Sequence, residues 1–564
     1  MTKYCDKEKK ETEVLIIKDF LKKHIPNMYK VASNLNFILR YYKYFKTLKD
    51  LYCFTSPSSI GNKRIVFNSV RPYFEGILFF ENALAIKLRE FGSKINILID
   101  DGILRHHESV QYQDFFKISD VVFRTKIASN FLGRIPLYKK YSEFISRSEL
   151  KKISLIANSL IKKGKYFYKN INLKPYIDSS VIRYFKSAIG FSEKEREYNK
   201  IFKICTENAV ISILVALKVE ELLHPDIIIT SHGIYSTWGP FYEYFKQKEG
   251  KKVISYDFGG YKNNGVIFSK RGLVANRCDD GFFNIYKDKI DITIAEKSIK
   301  DIFDKRFKGK STDLILYGNF TEDNNLLKEI KDIAYRRRIF ALFPNVLWDN
   351  SLSTSIDNIF NSPVEWLVDT IKFFEKEEDK LLLIREHPAG ASFMKSRIGI
   401  REIVKNEFGK DVRDIKNLIF IPSNNLIKSY SLFPIIKAGI VYNGTIGLEM
   451  MYKKIPVLIA GKAPYSYKEF TVDFKNKKEY FQAFNKVGDI LEYQEKNREV
   501  LSKFLFYYFV LNEIPLSFYD ENKWCHPKLN VVPELILGDR NLKYIAETIL
   551  DKKDFFQEWF WNEG

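Results

Sequence analysis

A chain of 564 residues, 45% hydrophobic, is too long for one ordinary core and too apolar for a disordered one. Its five cysteines, Cys5, Cys53, Cys205, Cys278 and Cys525, form no C-x-x-C pair, which argues against a disulfide framework or a structural zinc site and suits a reducing compartment. A formal charge of +21 suits an anionic partner, but the lysines are spread along the whole chain and no nucleic-acid-binding motif accompanies them, so nucleic acid ranks last.

The chain opens on charged residues after Met1 with no apolar signal core, and no apolar run reaches membrane-spanning length, so a cytoplasmic protein is expected. Residues 1 to about 60 are expected as a helical extension, with Val14, Ile17, Phe20 and Leu21 at helical spacing. The Tyr-, Phe- and Lys-rich stretch 35–51 suits either a helix packed on its own protein, the preferred reading, or an interfacial helix on anionic lipid.

A first lobe is expected over 61–305, with strands at 64–68, 95–99, 226–230 and 252–256 and helices at 79–91 and 208–223. A mainly helical insertion is expected over about 110–205. A second lobe is expected over 306–540, with strands at 314–317, 339–343, 381–384, 418–421, 439–442 and 456–459. Its helices are expected at about 363–377, 400–408, 425–436 and 446–453, and a helix over 542–561 fills the C-terminal segment 541–564. Strands alternating with helices predict an α/β protein: two doubly wound, Rossmann-like lobes of parallel sheet facing a cleft, with ligands at the carboxyl ends of the strands.

Three strand ends carry candidate chemistry. In 441–449 a strand runs through Asn443-Gly444-Thr445 into an apolar helix, a turn that offers free N–H groups to a phosphate. Thr445 adds a hydroxyl, Gly447 lies in the first turn, and Glu449 suits a ribose hydroxyl; a plain N-cap with a capping-type Glu is the simpler alternative. In 383–388 a buried strand ends in Arg385-Glu386-His387-Pro388, where Arg385 offers a donor fork to phosphate. His387 suits a donor to phosphate or an acid for the leaving group, although a lone His at a strand end is often structural.

In 97–102 the pair Asp100-Asp101 ends an apolar strand before Gly102, as a general base toward an acceptor hydroxyl or as a simple cap. His106, His107 and Glu108 follow, but adjacent His side chains point apart and no third ligand is spaced to match. There is no Asp-x-Asp motif either, so neither a metal nor a cofactor is expected. His232, after the strand at 226–230, and Gly259-Gly260, after that at 252–256, suit the cleft or acceptor side, the glycines equally a tight turn.

Over about 335–485 the sequence resembles the capsule polysaccharide biosynthesis proteins, a group of GT-B glycosyltransferases that includes the capsular Kdo transferases. The resemblance is carried by Phe343-Pro344-Asn345-Val346-Leu347-Trp348-Asp349, the Arg385–Pro388 strand end, the Asn443–Glu449 turn, and Ala460-Gly461-Lys462-Ala463-Pro464-Tyr465 running on to Phe470-Thr471-Val472-Asp473. It implies a GT-B fold whose C-terminal lobe holds a nucleotide-sugar donor. The acceptor it implies is a glycan or lipid-linked glycan of a capsule or other surface polysaccharide, with at most peripheral contact with an anionic inner membrane.

Asp100-Asp101-Gly102, His387-Pro388 and Thr445 look like three motifs shared by bacterial enzymes that use CMP-activated acidic sugars. By that likeness Asp101 is the base, and His387 and Thr445 hold the CMP phosphate. Asn443-Gly444 departs from the hydroxyl residue usual before Thr445, which leaves the donor open. The competing readings are a CDP-alcohol phosphotransferase of teichoic-acid type and a non-catalytic scaffold of polysaccharide export.

Overall fold

The computed structural model describes residues 25–54, 62–105, 108, 110–111, 116–187, 195–269, 282–308, 324–348, 359–391, 396–528 and 532–551. In chain order its strands are β1 (Arg64–Val70), β2 (Lys94–Ile99), β3 (Tyr138–Lys140), β4 (Phe167–Tyr168), β5 (Ile171–Asn172), β6 (Ile227–Ser231), β7 (Lys252–Phe258) and β8 (Gly265–Ser269). They continue with β9 (Arg338–Phe343), β10 (Lys380–Arg385), β11 (Leu418–Ile421), β12 (Ala438–Val441), β13 (Val457–Ile459) and β14 (Ile514–Pro515). The first large sheet has the order β14-β8-β7-β6-β1-β2-β3, and the second β11-β10-β9-β12-β13. All pairs of the second sheet are parallel, as are those from β7 to β3 in the first, whereas β8 and β14 run antiparallel at one edge.

Alternation along the strands explains the two layers of helix on each of the two large sheets. Ile65 and Phe67 of β1 join the core beneath helices Pro26–Phe54 and Glu75–Glu90, while Val66 joins the one beneath helices Arg147–Lys163 and Glu195–Leu223. In β9, Ile339, Ala341 and Phe343 face one core, and Phe340 and Leu342 face the other, with helix Pro363–Glu375. Both faces being covered, the strands read as unbroken apolar runs. Helix Pro363–Glu375 starts where Ser362 accepts the Glu365 N–H and Pro363 fills the first turn.

The architecture is therefore the expected pair of doubly wound, GT-B-like lobes, with several local corrections. β3 arises inside the stretch expected as a helical insertion and builds the edge of the first sheet. The helix expected over 425–436 is only the short turn Ser429–Leu432, because Pro434 cannot continue a helix and Arg385 takes the carbonyls of Asn425 and Ile427. Helix Ile292–Phe307, left with the first lobe by the sequence reading, packs on helix Arg498–Phe506 and pairs Arg306 with Glu449, both of the second.

Past Asn512 the chain returns to the first lobe: β14 extends its sheet, and helix Arg540–Ile549 packs on helix Glu75–Glu90. The expected strand at 314–317, the helical spacing from Val14 to Leu21, Cys5 and Cys278, Asp349, and the end of the C-terminal helix lie outside the described residues. No helix among the described residues is long and apolar enough to cross a membrane.

Contacts between the lobes among the described residues include these two. At one, the Arg397 N–H donates to the Lys186 carbonyl at 2.9 Å, and Arg183 and Lys186 stand over the Trp348 ring at 5.0 and 5.8 Å. At the other, Tyr261 meets Phe509 with ring centroids 4.5 Å apart, and Arg306 lies 5.5 Å over Tyr261.

Candidate active site

Strand register decides which residues meet above the second sheet. Ile384 pairs with Leu342 and Val441 with Phe343, so His387, Asn345 and Asn443 leave adjacent strands β10, β9 and β12 at about the same level. The order reverses between β9 and β12, which makes this level the crevice where open α/β sheets take ligands. The amide oxygens of Asn345 and Asn443 are buried there without a hydrogen-bond donor among the described residues. A buried acceptor left this way is destabilising by about 1–3 kcal/mol until a ligand supplies a hydroxyl or amino group.

The turn after β12 is shaped by close approaches. Tyr465 donates its hydroxyl to the Gly444 carbonyl at 2.6 Å, and a Cβ at Gly447 would overlap that hydroxyl. A Cβ at Gly444 would lie 3.1 Å from the Asn345 amide oxygen. Thr445 opens helix Ile446–Tyr452, and its hydroxyl makes no capping hydrogen bond.

His387 is half-buried. Burial, reinforced by the charge of Arg385, holds its imidazole down at about 4, so the ring is neutral at pH 7. The Ala389 N–H donates to Nδ1 at 3.2 Å, which assigns the ring proton to Nε2. A neutral ring presenting Nε2–H suits hydrogen bonding to a phosphate oxygen better than proton transfer to a leaving group.

Two expected donor-site residues have other duties. Arg385 is 1% exposed, and its guanidinium donates to the carbonyls of Glu386, Pro422, Asn425 and Ile427 at 2.6–3.2 Å. The loop after β11 thus takes the donor fork expected for phosphate. Burial pulls the guanidinium down to about 10, still charged at neutral pH, and it makes no ion pair with another described residue. It acts on the crevice through its field, which helps keep His387 neutral.

Glu449, 3% exposed, accepts from Arg306 at 2.7 and 3.2 Å. Its carboxylate holds helix Ile446–Tyr452 to helix Ile292–Phe307 rather than meeting a ribose.

In the first lobe the two aspartates separate. Asp100 is buried, and its Oδ1 accepts the N–H groups of Ile103 and Leu104 at 3.0 and 3.1 Å, so it caps the turn instead of reaching a substrate. Gly102 completes that turn at φ +97°, a left-handed backbone that a side chain disfavours. Asp101 stands opposite Ser142, because Ile99 pairs with Lys140, and accepts its hydroxyl at 2.6 Å and its N–H at 3.2 Å. Burial raises the Asp101 carboxyl above its ordinary range, against the lowering pull of Ser142.

The first sheet reverses its order between β1 and β6, and His232 directly follows β6. With φ at +45°, His232 sets Nδ1 3.1 Å from Oδ2 of Asp257, next to last in the neighbouring β7. Gly259 and Gly260 were expected at the acceptor pocket. Gly259 instead closes the β7–β8 connection, its N–H on the Gly265 carbonyl, and the Glu513 carboxylate fills the space a Cβ would take. Glu513 also accepts the N–H groups of Tyr261 and Lys262, so the returning C-terminal segment seals this turn.

His106 and His107 lie outside the described residues, and no three His, Cys, Asp or Glu side chains cluster as metal ligands among the described ones. Sequence reasoning missed Arg183 and Lys186 at the lobe contact, and Arg71, 4.3 Å over Trp238 beside the β1–β6 reversal. Nothing local distinguishes them from the other basic residues of the chain.

Residues 302–508 match the family model described as capsule polysaccharide biosynthesis protein, and the motifs from Phe343 to Asp473 fall inside that stretch. No curated protein matches the chain. Among solved structures it is similar to KpsC, a β-Kdo 2,7-transferase of Thermosulfurimonas dismutans, with 13% identity, a TM-score of 0.32, and 60% of this chain and 89% of that one covered. It is also similar to UDP-GlcNAc 2-epimerase of Neisseria meningitidis bound to UDP-GlcNAc, with 11% identity, a TM-score of 0.22 and coverage of 87% and 100%. The wall teichoic acid polymerase TagF gives 10% identity, a TM-score of 0.22 and coverage of 93% and 98%. TM-scores this low carry no argument about the activity of the chain.

Proposed function

We propose that the chain is a GT-B glycosyltransferase that moves a sugar from a nucleotide-activated donor, with CMP-linked acidic sugars the first candidates, onto a capsule or other surface polysaccharide. The observation that carries this reading is the crevice above β10, β9 and β12. It joins a neutral His387, the Thr445 hydroxyl and two amide oxygens without donors among the described residues. Such a set offers hydrogen-bond donors to phosphate oxygens and acceptors to ribose or base groups. The family match over 302–508 supports the second lobe as the donor side.

In this reading an acceptor hydroxyl attacks the anomeric carbon, and the bond from that carbon to the nucleotide phosphate breaks. Asp101, with its raised carboxyl, takes the hydroxyl proton, while His232, oriented by Asp257, lines the acceptor side. Arg183 and Lys186 offset the charge of the departing phosphate, and lobe closure excludes water. The donor lobe runs from helix Ile292–Phe307 to about Asn512, and the nucleotide sugar is a cytoplasmic substrate that needs no further cofactor.

A melting screen with CMP, UDP and GDP, followed by product analysis with the activated sugars of whichever nucleotide stabilises, tests the proposal. Stabilisation by one nucleotide, and a glycosidic product lost in Asp101→Asn, are expected. Indifference to all three nucleotides, or phosphodiester-linked products, would overturn it.

A further inference from the structure

Helix Pro26–Phe54 has two apolar faces. Phe37, Tyr41, Phe45, Leu48 and Leu51 are buried, and the helix packs on helices Glu75–Glu90 and Ile118–Leu132. Met28, Val31, Leu35, Leu39 and Tyr42 are 68, 61, 56, 67 and 53% exposed. At the α-helical advance per residue these five fall within an arc of about 80°, roughly opposite the buried face, so they are not the rim of the core. Four turns of exposed apolar side chains in one line are unusual for a surface with no partner.

The same side of the helix then turns basic. Lys46 and Lys49 fall on the arc and Lys43 on its flank; all three are exposed and make no ion pair with another described residue. Lys30 and Arg40, by contrast, are engaged by Asp120 and Glu75. Asp50, the helix's one acidic residue, falls on the same flank as Lys43, so the three lysines leave this side with a net positive charge.

We infer that this face docks on an anionic lipid bilayer, with the apolar side chains entering the boundary of headgroups and acyl chains and the lysines meeting acidic headgroups. Charge complementarity selects the occupant. An apolar stripe that ends in lysines with no acidic partner among the described residues, on a chain of net charge +21, matches a surface that is apolar beneath and negative above. This inference is independent of the transferase reading.

The test is co-sedimentation of the full chain with vesicles of phosphatidylcholine and phosphatidylglycerol, against phosphatidylcholine alone. Binding to the anionic vesicles is expected. Leu35→Glu with Leu39→Glu should weaken it at least about tenfold, and Lys43→Gln, Lys46→Gln and Lys49→Gln together about a hundredfold. The melting temperature and any nucleotide-induced shift should stay at the parent's values, which keeps this result separate from the fate of the transferase proposal.

Absence of binding by the parent chain, or equal binding by the Leu35→Glu, Leu39→Glu variant, would overturn the inference. So would a variant that turns a dimer into a monomer in light scattering with vesicle binding unchanged, which would give the face to a second copy. Vesicle binding that appears only after removal of the residues before Ile25 would give it to that segment instead.

Discussion

Replacing His387 with Gln tests the electrical state of the crevice. In the folded protein its imidazole is held at about 4, by burial and then by Arg385, against an ordinary value of 6.5. The folded state therefore prefers the neutral ring. As pH falls through 6.5 the unfolded chain takes up a proton that the folded protein refuses, and stability drains away until about pH 4, where both forms are protonated. The full loss is about 3 kcal/mol, of which about 2 kcal/mol is spent by pH 5; above about pH 8 the group adds no pH dependence.

His387→Gln keeps an N–H donor but cannot titrate. Urea unfolding followed by tryptophan fluorescence, near neutrality and again near pH 5, should show a smaller acid loss in the variant by about that amount. Equal acid sensitivity in the two proteins would refute the neutral ring. Calorimetry with CMP adds a second arm. His387→Ala removes a hydrogen bond to a charged group and should weaken binding about ten- to a hundredfold. If affinity in the parent, but not in the variant, fell as pH rose through 6.5, an imidazolium would be holding the phosphate and the reasoning would fail.

Gly447→Val drives a side chain into the Tyr465 hydroxyl and breaks its hydrogen bond to Gly444, so nucleotide affinity should fall at least about tenfold with the circular dichroism spectrum kept. Unchanged affinity in titration calorimetry would separate the turn from the ligand. Glu449→Gln leaves the buried Arg306 charge uncompensated and should destabilise the second lobe by about 3–5 kcal/mol, read as a lower melting temperature. A variant of normal stability that bound ribonucleotides and deoxyribonucleotides alike would restore Glu449 to the ribose.

The strands that sequence reasoning could find are those buried on both faces, such as Lys380–Arg385 and Ile227–Ser231, where every position is apolar or packed. β3, three residues reading Tyr-Lys-Lys, and β14, which contains Pro515, are edge strands whose local sequence carries no such run. The return of the chain to the first lobe after Asn512 was hidden for a different reason. It depends on Glu513 meeting the turn at Gly259, a contact between segments about 250 residues apart.

The same division holds at the site. Residue type and strand-end position were legible: His387, Asn443 and Thr445 follow strands of the second sheet, and Asp101 and His232 follow strands of the first. Partners were not legible. Arg385 and Glu449 have the chemistry to hold a nucleotide, yet the carbonyls of loop 422–427 and the charge of Arg306 reach them first. The pairing of His232 with Asp257, and the common level of His387, Asn345 and Asn443, follow from strand register, which local periodicity does not fix.

Hydrogen–deuterium exchange with and without the stabilising nucleotide tests the donor crevice most directly. The backbone N–H groups of 345–348, 387–390 and 443–447 should gain protection together, while strand interiors such as Ile227–Ser231 stay unchanged. Protection confined to other parts of the chain, with these three loops exchanging as before, would contradict the assignment of the nucleotide to the carboxyl ends of β9, β10 and β12.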